Sequence, residues 1–91
     1  MQFEWDEEKA KTNLRKHHIS FEDAAYVFFD KNNIEFYDVE HSDFEDRYVA
    51  IGLVGSVLFV VFTERRETIR IISARKANAK ERSEYYGKIR D

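Results

Sequence analysis

Residues 48–74 read YVAIGLVGSVLFVVFTERRETIRIISA, and this stretch decides the fold. Tyr48 to Val54 is mostly β-branched and apolar, which predicts a strand. Gly55-Ser56 predicts a tight turn, and Val57 to Thr63 its hairpin partner. Val57-Leu58-Phe59-Val60-Val61-Phe62 is apolar at every position, the pattern of a central strand covered on both sides. Glu64 to Glu67 form a polar turn. Thr68 to Ala74 is a further strand, with Ile69 and Ile71 on one face and Arg70 and Ile72 on the other.

Outward from this hairpin the period changes. Ile34 and Phe36 alternate with Glu35 and Tyr37, an edge-like strand, and Phe3 and Trp5 flank Glu4 in a short strand near the start. Asp6 caps a helix running to about His17, with Glu7 and Glu8 in its first turn and Arg15, Lys16 and His17 in its last, an order that suits the helix dipole. Its apolar face is weak, only Ala10 and Leu14. Ser20 and Asp23 approximate a capping box for a second helix, whose Phe21, Ala24, Ala25 and Phe28 share one face. Asp30 to Asn33 end it. Downstream, Asn78 caps a last helix with Glu81 at the capping-box position, and Tyr85 and Ile89 are expected to face the sheet. The expected architecture is α+β: a short N-terminal strand, two N-terminal helices, an antiparallel four-stranded sheet and a C-terminal helix, in a single domain spanning 1–91.

The chain has 91 residues, no Cys and no Pro, and a net charge of −3. A domain this small buries only about 60–65% of its unfolded surface, so the core is thin and a partner covering apolar area is expected. Without Cys there is no disulfide framework, thiolate nucleophile or Cys-ligated zinc. No run approaches the ~18 apolar residues of a membrane span, and the first residues lack the pattern of a signal peptide; a cytoplasmic protein is expected. The charge is uneven: residues 1–64 carry 6 Lys/Arg and 14 Asp/Glu, and residues 65–91 carry 9 and 4. The acidic stretch is Asp30 to Asp46. A basic third in an acidic chain points to a polyanion or an acidic partner, or to an ordinary solvated helix.

Chemistry-bearing motifs are few. His17 and His18 are adjacent and diverge by about 100° on a helix, a poor arrangement for a shared metal. His17 at a helix end also suits the terminal carbonyls, and His41 in the acidic loop reads as a surface residue. No phosphate-cradling glycine loop or serine nucleophile motif is present. The arginines carry more. Arg65 and Arg66 lie in the last turn of the sheet, Arg70 in the strand, Arg75 and Lys76 past its end, and Arg82 one turn into the last helix with Tyr86 at i+4. A helix folded back over the sheet would bring Arg75, Arg82 and Tyr86 together, in a pattern suited to phosphate and to a stacked base, unless Glu81 and Glu84 pair these cations.

The opening Phe3-x-Trp5-Asp6-x-x-Lys9, with Asn13, Lys16-His17 and Phe21, resembles the BrnT family of type II toxin–antitoxin toxins. So do Asp38-x-x-His41-Ser42, Arg47 and Ile51-Gly52. The most specific block is Arg70-Ile71-Ile72-Ser73-Ala74-Arg75 with Ala77, Glu81, Arg82 and Tyr85. The resemblance covers about Phe3 to Tyr86. It implies a RelE-like ribonuclease fold, translation arrest by RNA cleavage, and a BrnA-like ribbon-helix-helix antitoxin in a 2:2 complex that represses its own operon, so that DNA is reached only through the antitoxin. Two positions depart: many members have Gly where this chain has His18, and Pro where it has Lys31.

For metal-independent and cofactor-free cleavage, residue chemistry and the matched positions together give Arg65, Arg75 and Arg82 as phosphate and charge stabilisers, His17 or Glu64 as base, and Tyr86 or His17 as acid. Lys16, Arg70 and Lys76 are the expected RNA contacts. The alternative is a non-enzymatic corepressor module binding a DNA-binding partner. Phe36, Tyr37 and the sheet near Tyr48 are candidate anchors for the antitoxin.

Overall fold

A computed structural model describes residues 1–90, with side chains through residue 89; Asp91, the last residue of the expected domain, lies outside the described residues. The elements are β1 (Gln2–Glu4), α1 (Glu7–His17), α2 (Phe21–Ala25) continued by a 3-10 turn (Tyr26–Phe29), β2 (Ile34–Tyr37), β3 (Tyr48–Val54), β4 (Ser56–Arg65), β5 (Thr68–Lys76) and α3 (Ala79–Arg90). The sheet has five strands, not four, in the order β1-β5-β4-β3-β2. β1 joins it by pairing parallel to β5, so the sheet is mixed. Two strand ends also differ from expectation. β4 and β5 run on through Arg65 and Lys76, which shrinks the turn to Arg66-Glu67 and puts Arg75 inside a strand.

α1 begins where predicted. The Asp6 carboxylate accepts from Glu8 N at 2.8 Å and Lys9 N at 3.1 Å, and the Lys9 bond above all holds this carboxyl below its ordinary range. The helix ends on His18 in the left-handed conformation, φ 60°, with its N–H donating to Leu14 O. The Gly-to-His change therefore leaves the cap intact and places a side chain where a Cβ is disfavoured.

The inward side of α1 is not the expected one. Leu14 is 49% exposed, whereas Asn13 is buried. The reason is the free edge of β5. β1 stops at Glu4, opposite Arg70, and the Asn13 amide takes over further along: Oδ1 accepts from Ala74 N at 3.1 Å and Nδ2 donates to Ala74 O at 2.9 Å and to Ile19 O at 3.0 Å. A side-chain amide thus stands in for a strand.

α1, α2 and the 3-10 turn cover one face of the sheet, where Phe21, Ala24 and Val27 meet Ala50, Leu58, Val60, Phe62, Ile71 and Ala74. Gly52 permits this approach, since a Cβ there would sit 2.8 Å from Val27 Cγ1. The other face is covered at one end only, where Tyr85 of α3 packs with Val49, Ile51, Val57 and Ala77. Ile89 stays 45% exposed, contrary to expectation. α3 is instead pinned by Asp30, whose carboxylate accepts from Tyr85 OH, from Leu53 N at 2.8 Å and from Asn32 N at 2.9 Å. Burial pushes the Asp30 carboxyl up, but these three donors outweigh it and hold the group below its ordinary value.

Three stability predictions follow from these contacts. Asn13→Ala strands the Ala74 N–H and C=O and costs about 2 kcal/mol or more in urea unfolding, with faster hydrogen exchange at Ala74; an unchanged midpoint would refute the surrogate-strand role. His18→Gly relieves the left-handed backbone and raises stability by up to about 1 kcal/mol, read as a higher Tm. Asp30 has a lowered folded pKa, so its stabilisation is full above its unfolded value of about 4 and lost as pH falls through the folded one. Asp30→Asn is therefore less stable than wild type at neutral pH, and the gap narrows on acidification.

Candidate active-site cleft

Because α3 covers only one end, the rest of that sheet face is open. Strand register lays out its floor. Phe36 of β2, Val49 of β3, Val61 of β4 and Ser73 of β5 are successive partners across the sheet. The neighbouring row is Ile34, Ile51, Phe59 and Arg75. The segment between β2 and β3 walls this floor and brings Asp38, Glu40, His41 and Arg47 to a cleft of about 410 Å³ shared with Arg75, which is room for a nucleotide-sized group.

Ser42 closes the wall. Its hydroxyl donates to Asp38 O at 2.6 Å and accepts from Arg47 N at 2.9 Å, while Asp38 N donates to Arg47 O at 2.8 Å. Thr63 Oγ1 ties the segment to β4 by donating to Asp46 O at 2.7 Å. The result is an ordered loop in which the largely buried Asp38 carboxylate lies 3.0 Å from His41 Nδ1. A carboxylate only accepts, so Nδ1 carries the proton and Nε2 is left for chemistry. His41 is a surface residue, as expected, with its side chain 63% exposed, but it lines the cleft and is paired with a carboxylate. The pairing follows from Asp38-x-x-His41-Ser42 itself, an acid three residues before a histidine with a turn-closing hydroxyl beside it.

Arg75 lines the same cleft as His41, and its guanidinium is held by several contacts. It lies 3.9 Å over the Phe59 ring. Nη1 and Nη2 donate to the two Glu81 oxygens at 2.8 and 2.9 Å, and Nη1 also reaches Lys76 O at 3.2 Å. Glu81 is fixed in turn by the capping box with Asn78, 2.8 and 2.9 Å. The Arg75 bond holds the Glu81 carboxyl below its ordinary value, against the effect of burial. Of five guanidinium donors, three are engaged. Among the described residues Nε–H and the second Nη2–H have no partner, and these share the edge that matches two phosphate oxygens. Arg47, also on the cleft, makes no ion pair among the described residues.

The other expected site residues are scattered around this centre. Lys16 and His17 line an adjoining groove beside α1 that shares Ile72 and Ser73 with the cleft. Arg70 lies opposite Thr63 and pairs with Glu4 at 3.7 Å. Arg65 pairs with Glu45 at 3.5 Å. Arg82 donates to Ala77 O at 2.8 Å, and Tyr86 packs edge-on against Tyr85, both outside the cleft lining. Glu64 and Lys76 lie on the opposite, helix-covered side, by strand alternation from Thr63 and Arg75. The structure thus brings Arg75 to the cleft, sets Lys16 and His17 beside it, and does not bring Arg82, Tyr86 or Glu64 to it. Among the described residues, no three His, Asp or Glu side chains are grouped to hold a metal ion.

Among the described residues, no helix is long and apolar enough to cross a membrane. Comparison with curated proteins finds no match. A family model described as the ribonuclease toxin BrnT of type II toxin–antitoxin systems matches residues 5–81, a span that contains the whole cleft and the Arg75–Glu81 pair. The chain belongs to the BrnT family of ribonuclease toxins.

Proposed function

We propose that this chain is a metal-independent endoribonuclease whose centre is the cleft holding His41, Asp38, Arg47 and Arg75. The observation that carries the reading is the carboxylate-oriented His41 sharing one cleft with an Arg75 whose phosphate-matching edge is unengaged. RNA carries its own nucleophile. Cleavage needs the 2′-hydroxyl proton removed, the 2′-oxygen to attack phosphorus in line, and the bond to the 5′-oxygen to break as that oxygen gains a proton. The products are a 2′,3′-cyclic phosphate and a 5′-hydroxyl. His41 Nε2 serves as the proton acceptor or donor, and Asp38 steadies the imidazolium formed. Arg75 and Arg47 bind the phosphate and its growing charge. His17, in the adjoining groove, is the candidate for the second proton transfer.

The layout supports a RelE-like arrangement of one toxin domain, two N-terminal helices on one sheet face and the chemistry on the other. In a toxin–antitoxin module the partner is the antitoxin. We take it to be BrnA-like, with a ribbon-helix-helix DNA-binding part, a 2:2 assembly and repression of the shared operon in the cytoplasm. The half-exposed edge residues Phe36 and Tyr37 are available to it.

The test uses purified protein with RNA in the presence of EDTA. Cleavage persists, leaves cyclic phosphate ends, and stops at a linkage carrying a single 2′-deoxy substitution. His41→Ala and Arg75→Ala each slow it by about 10²-fold or more, and Arg75→Lys restores little, because an ammonium lacks the planar fork. Arg82→Ala, outside the cleft, is the comparison. Near-native cleavage by folded His41→Ala and Arg75→Ala, or a loss confined to Arg82→Ala, would move the chemistry to α3.

A further inference from the structure

The cleft does not end at Arg75. β1 covers the edge of β5 only as far as Arg70, and Asn13 takes over at Ala74. Ile72 and Ser73 lie between. Here β5 carries one extra residue: Ser73 pairs with Val61 and Ile71 with Phe62, leaving Ile72 as a bulge. A bulge bends the strand and breaks the ladder. Ile72 and Ser73 line both the cleft and the groove beside α1. The two depressions therefore meet over the sheet edge.

The two ends of this path differ in chemistry. At one end Phe36 is 43% exposed on the open face, and its neighbours along the wall are Asp38 and Glu40. Carboxylates repel a phosphate but not a base, and an exposed aromatic ring offers a base a stacking surface. At the other end stand Arg75, then Lys16 and His17 past Ser73. Lys16 makes no ion pair among the described residues. From Phe36 to Ser73 is three strand spacings, about 14 Å, the scale on which single-strand-binding sheets stack roughly two or three bases.

We propose that an unpaired RNA segment runs across the strands of this face, with one base stacked on Phe36, the scissile phosphate at Arg75 and His41, and the following backbone crossing the Ile72 bulge to Lys16 of α1. The proposal rests on the ribonuclease reading and adds to it a base subsite and a strand exit. A duplex is excluded by the same geometry, because its bases are stacked on each other and unavailable to Phe36.

Short labelled RNAs test it, by cleavage kinetics with the wild-type background and by fluorescence anisotropy with His41→Ala as the non-cleaving binder. Phe36→Ala raises KM by about 5- to 100-fold, the worth of one base stack, with kcat within a few-fold of wild type, and Phe36→Tyr restores KM. Lys16→Ala lowers the salt dependence of binding by about 0.7 in log–log slope, one single-strand phosphate. Duplex RNA of the same sequence binds at least tenfold more weakly. Thermal unfolding of each variant confirms the fold. An unchanged KM and Kd in Phe36→Ala, or equal binding of duplex, overturns the path; if His41→Ala still abolishes cleavage, the active site stands without it. A folded wild type that neither binds nor cuts RNA overturns both readings.

Discussion

A sheet that is apolar on both faces needs two layers of cover, and this chain supplies one and a part. α1, α2 and the 3-10 turn bury the Leu58, Val60 and Phe62 side of β4 completely. On the other side α3 reaches only the Val57 and Ile51 end. Phe59 and Val61 are left partly open as the floor of the cleft. The site is thus the uncovered remainder of the core. This ties function to α3, because the helix that leaves the cleft open also supplies Glu81. Its docking depends on a buried tyrosine donating to Asp30, so a hydrogen bond from the middle of α3 and an ion pair from its first turn hold the helix against the sheet.

Arg75 shows why pairing a site cation with a carboxylate need not disable it. A free arginine on a strand surface samples many rotamers, and ordering it on substrate binding costs free energy. Glu81 meets that ordering cost during folding, and Phe59 restricts the guanidinium plane further. Part of the charge is offset, yet the edge left without a partner among the described residues is fixed in place for the phosphate of the proposed reading. Preorganised donors of this kind act in the transition state without reorganising. Asp38 does the same for His41, fixing the tautomer without occupying Nε2.

Most of the fold was legible in the sequence because local signals agreed with the tertiary outcome. Asp6, Ser20 and Asn78 cap where capping chemistry places them, and the hairpin follows its turn signal at Gly55, which has φ +70°. The failures were of one kind. That β1 would pair parallel with β5, and that Asn13 rather than Leu14 would turn inward, depends on a sheet edge that no periodicity encodes. The site suffered similarly. Of the three residues expected to converge, Arg75 lines the cleft and Arg82 and Tyr86 do not, because helical spacing fixes neighbours on the helix and not what the helix faces. His41 is exposed, as a histidine in an acidic loop reads, and only the Ser42 bonds that shape the loop bring it to the cleft rim beside Asp38.

The charge distribution takes on a different meaning in three dimensions. The basic last third reads as a polyanion surface, yet Arg65, Arg70 and Arg75 each have a carboxylate partner, from Glu45, Glu4 and Glu81. Two of those carboxylates come from the acidic first two-thirds, so the two segments meet in ion pairs at Arg65 and Arg70. Among the described residues, the cations near the cleft that make no ion pair are Arg47 on the cleft and Lys9 and Lys16 in the adjoining groove. A protein of net charge −3 therefore offers RNA little general attraction. In the proposed reading, affinity comes from the cleft itself, where a short strand meets Arg75, His41 and Phe36 together, and only an RNA segment flexible enough to lie across the sheet reaches all three.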